Sequence, residues 1–503
     1  MILHTILSFS LIFLIVLFLL RRIFSENKRP LLPPSPKKLP IIGHLHHLLI
    51  GNSPPHHALH RLSGQYAGGG GLMYLQLGSV PTLVVSSADA AREIFRDHDV
   101  VFSSRPPMYG GRKMSYNYAD VSFSPYGEYW RQVRKVLVVH LLSAKRVQGF
   151  AAVREAEVGR MIERIVESCH GTAAAVDLSE AALSLSNNVV CRVGFGKKRD
   201  GGGEAKFHRI LHETQQLLGE PNLADFFPGL SWVNKVNGVD SRIEKNFKEL
   251  DSFFNEVLEE HSIKSSDEEE EDFVDSLLRI QEEDYQTLST ESIKALLVDV
   301  FVAGSDTSAS TIVWTMAELI KHPNIMKKAQ SEVRQLLHGK QKVSESDLPN
   351  LKYLELVVKE SLRFHPPAPL LVPRETTDKC TVGGYNIPAK TRVFINAISI
   401  GRDQKAWENP MDFWPERFLE SEVDYRGMHF EFIPFGAGRR GCPGLNFSIP
   451  LVELALANLL YWFDWQLPER MSVEEVDMDE TFGITVHKRT PLCLLASIIS
   501  SPA

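Results

Sequence analysis

Cysteine is scarce in this 503-residue chain: five occur, at 169, 191, 380, 442 and 493, widely scattered. An odd number with no Cys-x-x-Cys spacing argues against a disulfide framework or a zinc ribbon and fits a reducing compartment. Excess basic charge is also lacking. The net charge is −7, which gives no footing for nucleic-acid binding. There is no internal repeat, and no glycine/serine- or proline-rich linker divides the chain after residue 40. Length alone would allow roughly two to four domains, but with nothing to separate them one large domain is expected. Hydrophobic content of 44% and charged content of 23% are those of a globular protein with a sizeable core.

The first residues add a membrane expectation. Ile2 to Leu20 is a run of nineteen uncharged, mostly apolar residues, followed by Arg21 and Arg22. It is long enough to cross a bilayer, and no small-x-small cleavage site follows it. Lys28, Arg29, Lys37 and Lys38 add positive charge on its C-terminal side, which leaves the bulk of the chain in the cytosol. Pro30 to Pro40 then carries five prolines in eleven residues, a stiff extended spacer through which no helix continues. The expected organisation is a membrane anchor over 1–22, a proline-rich hinge over 23–40 and one domain over 41–503.

Beyond the hinge the pattern is mainly α with a minor β-sheet region. Leu72 to Ser86 alternates around Gly78 and Pro81 and predicts a hairpin. Short strands are expected around Thr381 to Val382, Tyr385 to Ile387 and Arg392 to Ile395. Helical periodicity is clearest over Ala88 to Arg96, Tyr129 to Val139, Ala152 to Ser168, Ile243 to His261 and Glu291 to Lys321. Lys197 to Glu204 reads as a surface loop, and the acidic run Asp267 to Asp272 as a solvated one.

Phe435 to Gly444 reads Phe-Gly-Ala-Gly-Arg-Arg-Gly-Cys-Pro-Gly. Its glycines allow bare backbone N–H groups to approach the Cys442 sulfur. With Arg439 and Arg440 beside it, and the N-terminus of an apolar helix over Leu445 to Phe463 facing it, the sulfur is expected to be a thiolate. Such a thiolate suits an axial haem ligand. The stretch resembles the haem-binding loop of the cytochrome P450 superfamily, matching Phe-x-x-Gly-x-Arg-x-Cys-x-Gly at every fixed position.

Further segments extend the resemblance along essentially the whole chain. Ala303-Gly304-Ser305-Asp306-Thr307 interrupts an apolar helix with three residues poorly suited to a helix interior. It resembles the oxygen-binding groove of the family's central helix. There Gly304 would open the helix toward iron, Thr307 would stabilise reduced dioxygen, and Asp306 would connect it to solvent. Glu360-Ser-Leu-Arg363, with Arg417 in Pro415-Glu-Arg-Phe418, resembles the family's buried structural triad. Trp130, Arg134, Arg374 and Arg440 match propionate-binding positions, and Phe435 and Gly436 belong to the haem loop. Substrate contacts are expected from Phe301, Ala303, Leu371, Val372 and Phe482, within variable segments that include Tyr109 to Val121 and Leu217 to Val236.

Phe102-Ser-Ser-Arg-Pro106, Tyr126-Gly-Glu-Tyr-Trp130 and Ile400-Gly-Arg-Asp403 narrow the likeness to the plant microsomal clan of specialised metabolism. That resemblance implies a haem b domain in the endoplasmic reticulum membrane. It would insert one atom of O2 into a terpenoid, phenylpropanoid, alkaloid or oxime. No nicotinamide or flavin fingerprint accompanies it, so electrons from NADPH would come through NADPH–cytochrome P450 reductase, with cytochrome b5 as a further donor. A haem-thiolate isomerase or lyase acting on a hydroperoxide typically lacks the acid–threonine pair, and a non-catalytic haem scaffold is a third reading. One departure is Ala67 followed by Gly68 to Gly71, where the family has Gly-Pro. It is expected to loosen the turn before the hairpin.

Overall fold

Periodic apolar faces fold this chain into a helical body with small sheets at its margins. The structure, a computed structural model, describes residues 31–49, 53–169, 173–196, 203–263, 271–283, 288–468 and 471–499. The expected anchor, the start of the hinge and most of the 197–204 loop lie outside these residues. The longer helices are α1 Pro55–Tyr66, α2 Glu128–Val136, α3 Ala151–Cys169, α4 Leu178–Phe195, α5 Gly203–Gly219, α6 Val239–Ile263, α7 Phe273–Glu283, α8 Thr290–Lys321, α9 Pro323–Leu336, α10 Lys352–Phe364 and α11 Leu445–Trp462. The expected helices, the hairpin and the three short strands all form. The two segments expected over Ala88 to Arg96 and Tyr129 to Val139 each end in a π-type turn, at Glu93–Asp97 and Leu137–Leu141.

Helices α8 and α11 are long and apolar enough to cross a bilayer. They are instead the central helices of the core, with 61% and 67% of their apolar windows buried, so their all-round apolarity reflects packing on every side. α8 lies against α4, and two glycines set how closely. A Cβ on Gly304 would meet Val190 Cγ2 at 3.0 Å, and a Cβ on Gly194 would meet the Phe301 ring at 2.6 Å. Gly304 therefore serves helix packing as well as lying beside the cavity described below.

The main sheet has the order β1 Leu72–Leu77, β2 Val80–Val85, β7 Arg392–Ile395, β4 Arg374–Glu375. The β2–β7 pair is parallel and its neighbours are antiparallel. A second sheet joins β3 Ala174–Asp177, β11 Cys493–Ile498 and β8 Phe463–Gln466, and two hairpins pair β5 Cys380–Val382 with β6 Tyr385–Ile387 and β9 Glu480–Thr481 with β10 His487–Lys488. The described part of the hinge is docked on β1 of the main sheet, on the β5–β6 hairpin and on the segment around His44. Tyr74 N–H donates to Pro34 O at 2.9 Å, Asn386 N–H donates to Leu31 O at 2.7 Å, and His44 Nε2 lies 2.9 Å from Pro36 O.

Two loop expectations change. Gly68–Gly70 forms a short 3₁₀ turn, closed by Gly71 at φ 65°. There any Cβ would strike Ser87 Oγ at 2.2 Å, and Ser86 Oγ and Ser87 Oγ donate to Gly71 O and Gly70 O. The turn is tied down, not loosened. In the acidic run, Asp272 is buried. Its carboxylate lies 3.0 Å from His261 Nε2 and accepts from Asp275 N–H at 2.9 Å, so it caps a helix instead of facing water.

Candidate active site

The cysteine loop is a product of its glycines. Gly436 and Gly438 adopt φ of 69° and 67°, the left-handed region. A Cβ on Gly438 would meet the Asp99 carboxylate at 2.3 Å. Cys442 N–H closes the loop on Phe435 O at 2.9 Å, and Gly444 N–H donates to Cys442 Sγ at 3.3 Å. The sulfur forms part of the wall of a cavity of about 610 Å³, open to that cavity while enclosed by protein elsewhere.

Burial pushes the Cys442 thiol up, against the pull of the Gly444 N–H, the Arg134 guanidinium and the Leu445 N–H at the start of α11. Of the groups expected to hold a thiolate, the loop N–H of Gly444 and the helix N-terminus at Leu445 act on the sulfur, whereas Arg439 and Arg440 do not, and Arg134 takes their place. Arg439 pairs with Asp99 at 3.2 Å, and Arg440 turns away to the carbonyls of Ser103, Val121 and Ser124. A bound cation is what would deprotonate this sulfur.

α8 supplies another part of the wall. Ala303, Gly304, Asp306 and Thr307 line the cavity, and Thr307 Oγ1 donates back to Ala303 O at 2.8 Å. Asp306 Oδ1 lies 3.0 Å from His487 Nε2 on β10. Leu371, Val372, Phe482, Phe435 and Gly436 also line the cavity, as do parts of the expected variable segments such as Met114, Val121 and Leu218. Phe301 does not. It is buried in an aromatic cluster, stacked on Phe195 at 4.4 Å and edge-on to Phe207 at 5.1 Å. Its place on the substrate wall is corrected: one position along the helix turns the ring from the cavity into the core.

A group of cations gathers at one side of the cavity: Arg134, Arg374, Arg440 and Arg105 all line it. Burial holds all four guanidinium pKa values down, and repulsion from neighbouring arginines adds to it at Arg105, Arg374 and Arg440, with Arg440 at about 9 and Arg374 at about 10. Among the described residues, only Arg374 has a carboxylate in reach, Asp99 at 3.7 Å; the other donors rest on backbone carbonyls such as Gly441 O and Val372 O. Buried like charges so poorly compensated fit a ligand bringing two carboxylates of its own. Together with a sulfur donor on the wall, this donor set fits haem. Trp130 departs from its expected role: its indole N–H donates to Val121 O at 3.0 Å, and its ring stacks under Arg440 at 4.0 Å. It braces a cavity arginine from behind.

Glu360, Arg363 and Arg417 assemble as expected, away from the cavity. Arg363 Nε and Nη2 each donate to Glu360 at 2.7 Å, and Arg417 Nε does so at 3.0 Å. Sequence reasoning missed four groups. Arg105 was quoted only within a fragment. Asp120, buried, and Asp299, half-buried, line the cavity as a carboxylate pair; loss of water contact raises both, Asp299 to about 6. Asp299 was detectable as a lone charge in an apolar stretch of α8. His487 had no local signal.

The comparisons with known proteins agree with this geometry. The cytochrome P450 family profile matches residues 33–494. The chain is 56% identical to strychnine-11-hydroxylase of Strychnos nux-vomica over 98% of this chain and 97% of that one. It is 53% identical to cytochrome P450 71A9 of Glycine max over 94% of each, and 44% identical to desmethyl-deoxy-podophyllotoxin synthase of Sinopodophyllum hexandrum over 97% and 96%. A solved zebra fish cytochrome P450 with progesterone superposes with a TM-score of 0.75 at 25% identity, covering 88% of this chain and 100% of that one. The chain belongs to the cytochrome P450 family, as a plant A-type haem monooxygenase that draws its electrons from an external reductase.

Proposed function

We propose that this enzyme hydroxylates a bulky, lipophilic specialised metabolite from the endoplasmic reticulum membrane, held by residues 1–22 and a hinge over 23–40, with the domain over 41–503 in the cytosol. The observation that carries the reading is that Cys442, the Asp306–Thr307 pair and four arginines all line one cavity. Haem supplies oxygen activation when bound. Cys442 would hold its iron through the sulfur, while Arg134, Arg374, Arg440 and Arg105 would neutralise its propionates.

The chain's own residues then have distinct tasks. Asp306 holds a proton near the Thr307 hydroxyl, and Thr307 presents it to the cavity. Ala303, Leu371, Val372 and Phe482 exclude water and orient a substrate by apolar contact. Glu360, Arg363 and Arg417 fix the segment leading into the cysteine loop. NADPH–cytochrome P450 reductase is the proposed donor, with cytochrome b5 as a second. Relatives named for strychnine and for desmethyl-deoxy-podophyllotoxin support a large polycyclic substrate.

Microsomes containing the chain and a reductase, supplied with NADPH and a panel built on those two skeletons, test the substrate class. A carbon monoxide difference spectrum tests the ligation. Product formed only with NADPH, together with the red-shifted Soret band of sulfur ligation, is expected. Thr307→Ala should divert electrons to peroxide. A haem-loaded enzyme without that band refutes the ligand assignment.

A further inference from the structure

The hairpin β9–β10 closes one side of the cavity, and it is fastened at three places. At its start, Glu480 accepts from His56 Nε2 at 2.5 Å and lies 3.0 Å from His57 Nε2. Near its end, Val486 O accepts from Ser310 Oγ at 2.7 Å and Trp314 Nε1 at 3.2 Å, and Val486 N–H donates to Pro367 O at 2.9 Å. The next residue, His487, pairs in register with Thr481 and turns its ring onto Asp306. Strand pairing and two hydrogen bonds from α8 thus fix the imidazole against the one carboxylate that adjoins Thr307.

Among the described residues, the ring has a single charged neighbour. From α8 that neighbour is Asp306, with Nε2 3.0 Å from Oδ1. From its own strand, Lys488 turns away to Asp477 O and Trp314. From β9, Glu480 is engaged by His56 and His57. Arg489 pairs with Asp479 at 2.7 Å. Of the other acids on the cavity wall, Glu220 pairs with Arg242 at 3.0 Å, Asp299 accepts from Val121 N–H at 2.7 Å and Asp120 accepts from Phe123 N–H at 2.9 Å. Asp306 is 12% exposed and the His487 side chain 40%. The carboxylate is therefore enclosed, while the ring that touches it opens onto the cavity it lines, where water can meet it before substrate binds. Burial would drive the imidazole neutral, but the bond and the negative charge of Asp306 outweigh it and raise the His487 pKa.

We propose that His487 is a positioning residue for proton delivery, reloading Asp306 from solvent. The step rests on the reading of Asp306 and Thr307 given above. The Nε2–H bond of the imidazolium breaks as an O–H bond forms on Asp306 Oδ1. That proton moves on toward Thr307, and the neutral ring takes another from water. One proton is carried per cycle of the pair, and the electrons arrive independently through the reductase.

The test uses haem-loaded full-length enzyme with reductase in lipid vesicles and no added substrate, so that the divided fate of oxygen is read directly. NADPH oxidation and peroxide release are followed from pH 6 to 9 for wild type, His487→Gln, His487→Ser and Asp306→Asn. Glutamine can still donate to Asp306 but cannot titrate. Wild type should send an increasing share of electrons to peroxide as pH rises through the raised histidine pKa. His487→Gln should show at least a threefold larger share at pH 6.5 and no such rise; Asp306→Asn should match it.

A second readout is independent of turnover. The melting-temperature difference between wild type and His487→Gln should be largest near pH 6 and shrink toward pH 9. A histidine with a raised folded pKa contributes stability below its unfolded pKa and loses it as pH climbs through the folded one. If Asp306→Asn releases excess peroxide while both His487 variants keep the wild-type share and pH profile, His487 only packs the hairpin and the proposal falls. If Asp306→Asn is itself without effect, the acid assignment and the relay fall together.

Discussion

Replacing Glu360 by glutamine should unload haem without touching the haem cavity. Glu360 is fully buried and accepts four kinds of donor: Arg363 Nε and Nη2 at 2.7 Å, Arg417 Nε at 3.0 Å and Trp414 N–H at 2.8 Å. Glutamine removes the charge and turns an NH2 toward a guanidinium, leaving two buried cations without a counter-charge. Breaking such an arrangement costs about 3–5 kcal/mol. For a domain of roughly 460 residues, an unfolding entropy near 2 cal/mol/K per residue makes that a fall of about 3–5 °C in Tm. The damage should reach the sulfur, because the triad gathers the chain that leads to it. Arg363 donates to Gly401 O and Pro410 O, Arg417 to Glu408 O, and Trp407, over which both guanidinium groups lie, packs on Phe432 just before the cysteine loop. Thermal melting and the carbon monoxide difference spectrum of Glu360→Gln measure both effects. A variant that melts within about 1 °C of wild type and retains full haem would show that the triad neither stabilises nor positions anything, and the reasoning would fail.

Gly194→Ala places a Cβ 2.6 Å from the Phe301 ring. It should destabilise by about 1–3 kcal/mol through overpacking, and adding Phe301→Leu should recover part of the loss in thermal melts. Glu318 is buried, which would raise its pKa, but hydrogen bonds from His322 and His365 win and hold it down to about 2. Its stabilisation is complete above the unfolded value near 4.5 and is lost as pH falls toward 2. Glu318→Gln should accordingly cost about 3 kcal/mol at pH 7, with melting curves converging on wild type in acid. Burial raises Asp120, and the neighbouring Asp299 raises it further, with one Asp120 oxygen left unpaired. A raised carboxylate opposes folding once ionised, so Asp120→Asn should increase Tm at pH 8 and leave it unchanged at pH 5.

What the sequence disclosed divides along a physical line. Elements governed by local patterning were legible: the hairpin over 72–85, the 290–321 helix and the helix starting at Leu445 are where periodicity put them. So were sites in which chemistry demands residue types at fixed spacing. The glycines around Cys442 are needed for φ values of 69° and 67°, and Glu360 and Arg363 meet because three residues make nearly one helical turn. Direction was less legible than position. Phe301 and Ala303 sit two residues apart on one helix, yet one belongs to the aromatic core and the other to the cavity. Only the packing of α4 on α8 decides which.

Contacts between distant segments left no trace in either partner alone. Asp306 and His487 are separated by 181 positions, arithmetic from their numbers in the chain, and His487 stands in an unremarkable strand. The same holds for the arginines: each looks like an ordinary basic residue in its own segment, and only their convergence in one buried wall creates an unbalanced charge that calls for an anionic ligand. The excess cannot be read from the composition, which is net acidic at −7. It is a property of the folded interior. Asp120 and Asp299 lie near Arg105 and Arg440 on the same wall, but their own pKa values are raised, so they offset the four guanidinium groups only in part in a medium of low dielectric. Affinity for a dianionic porphyrin is thus produced by folding, and loss of any one of Arg105, Arg134, Arg374 or Arg440 should weaken haem retention while easing the repulsion among the remaining three.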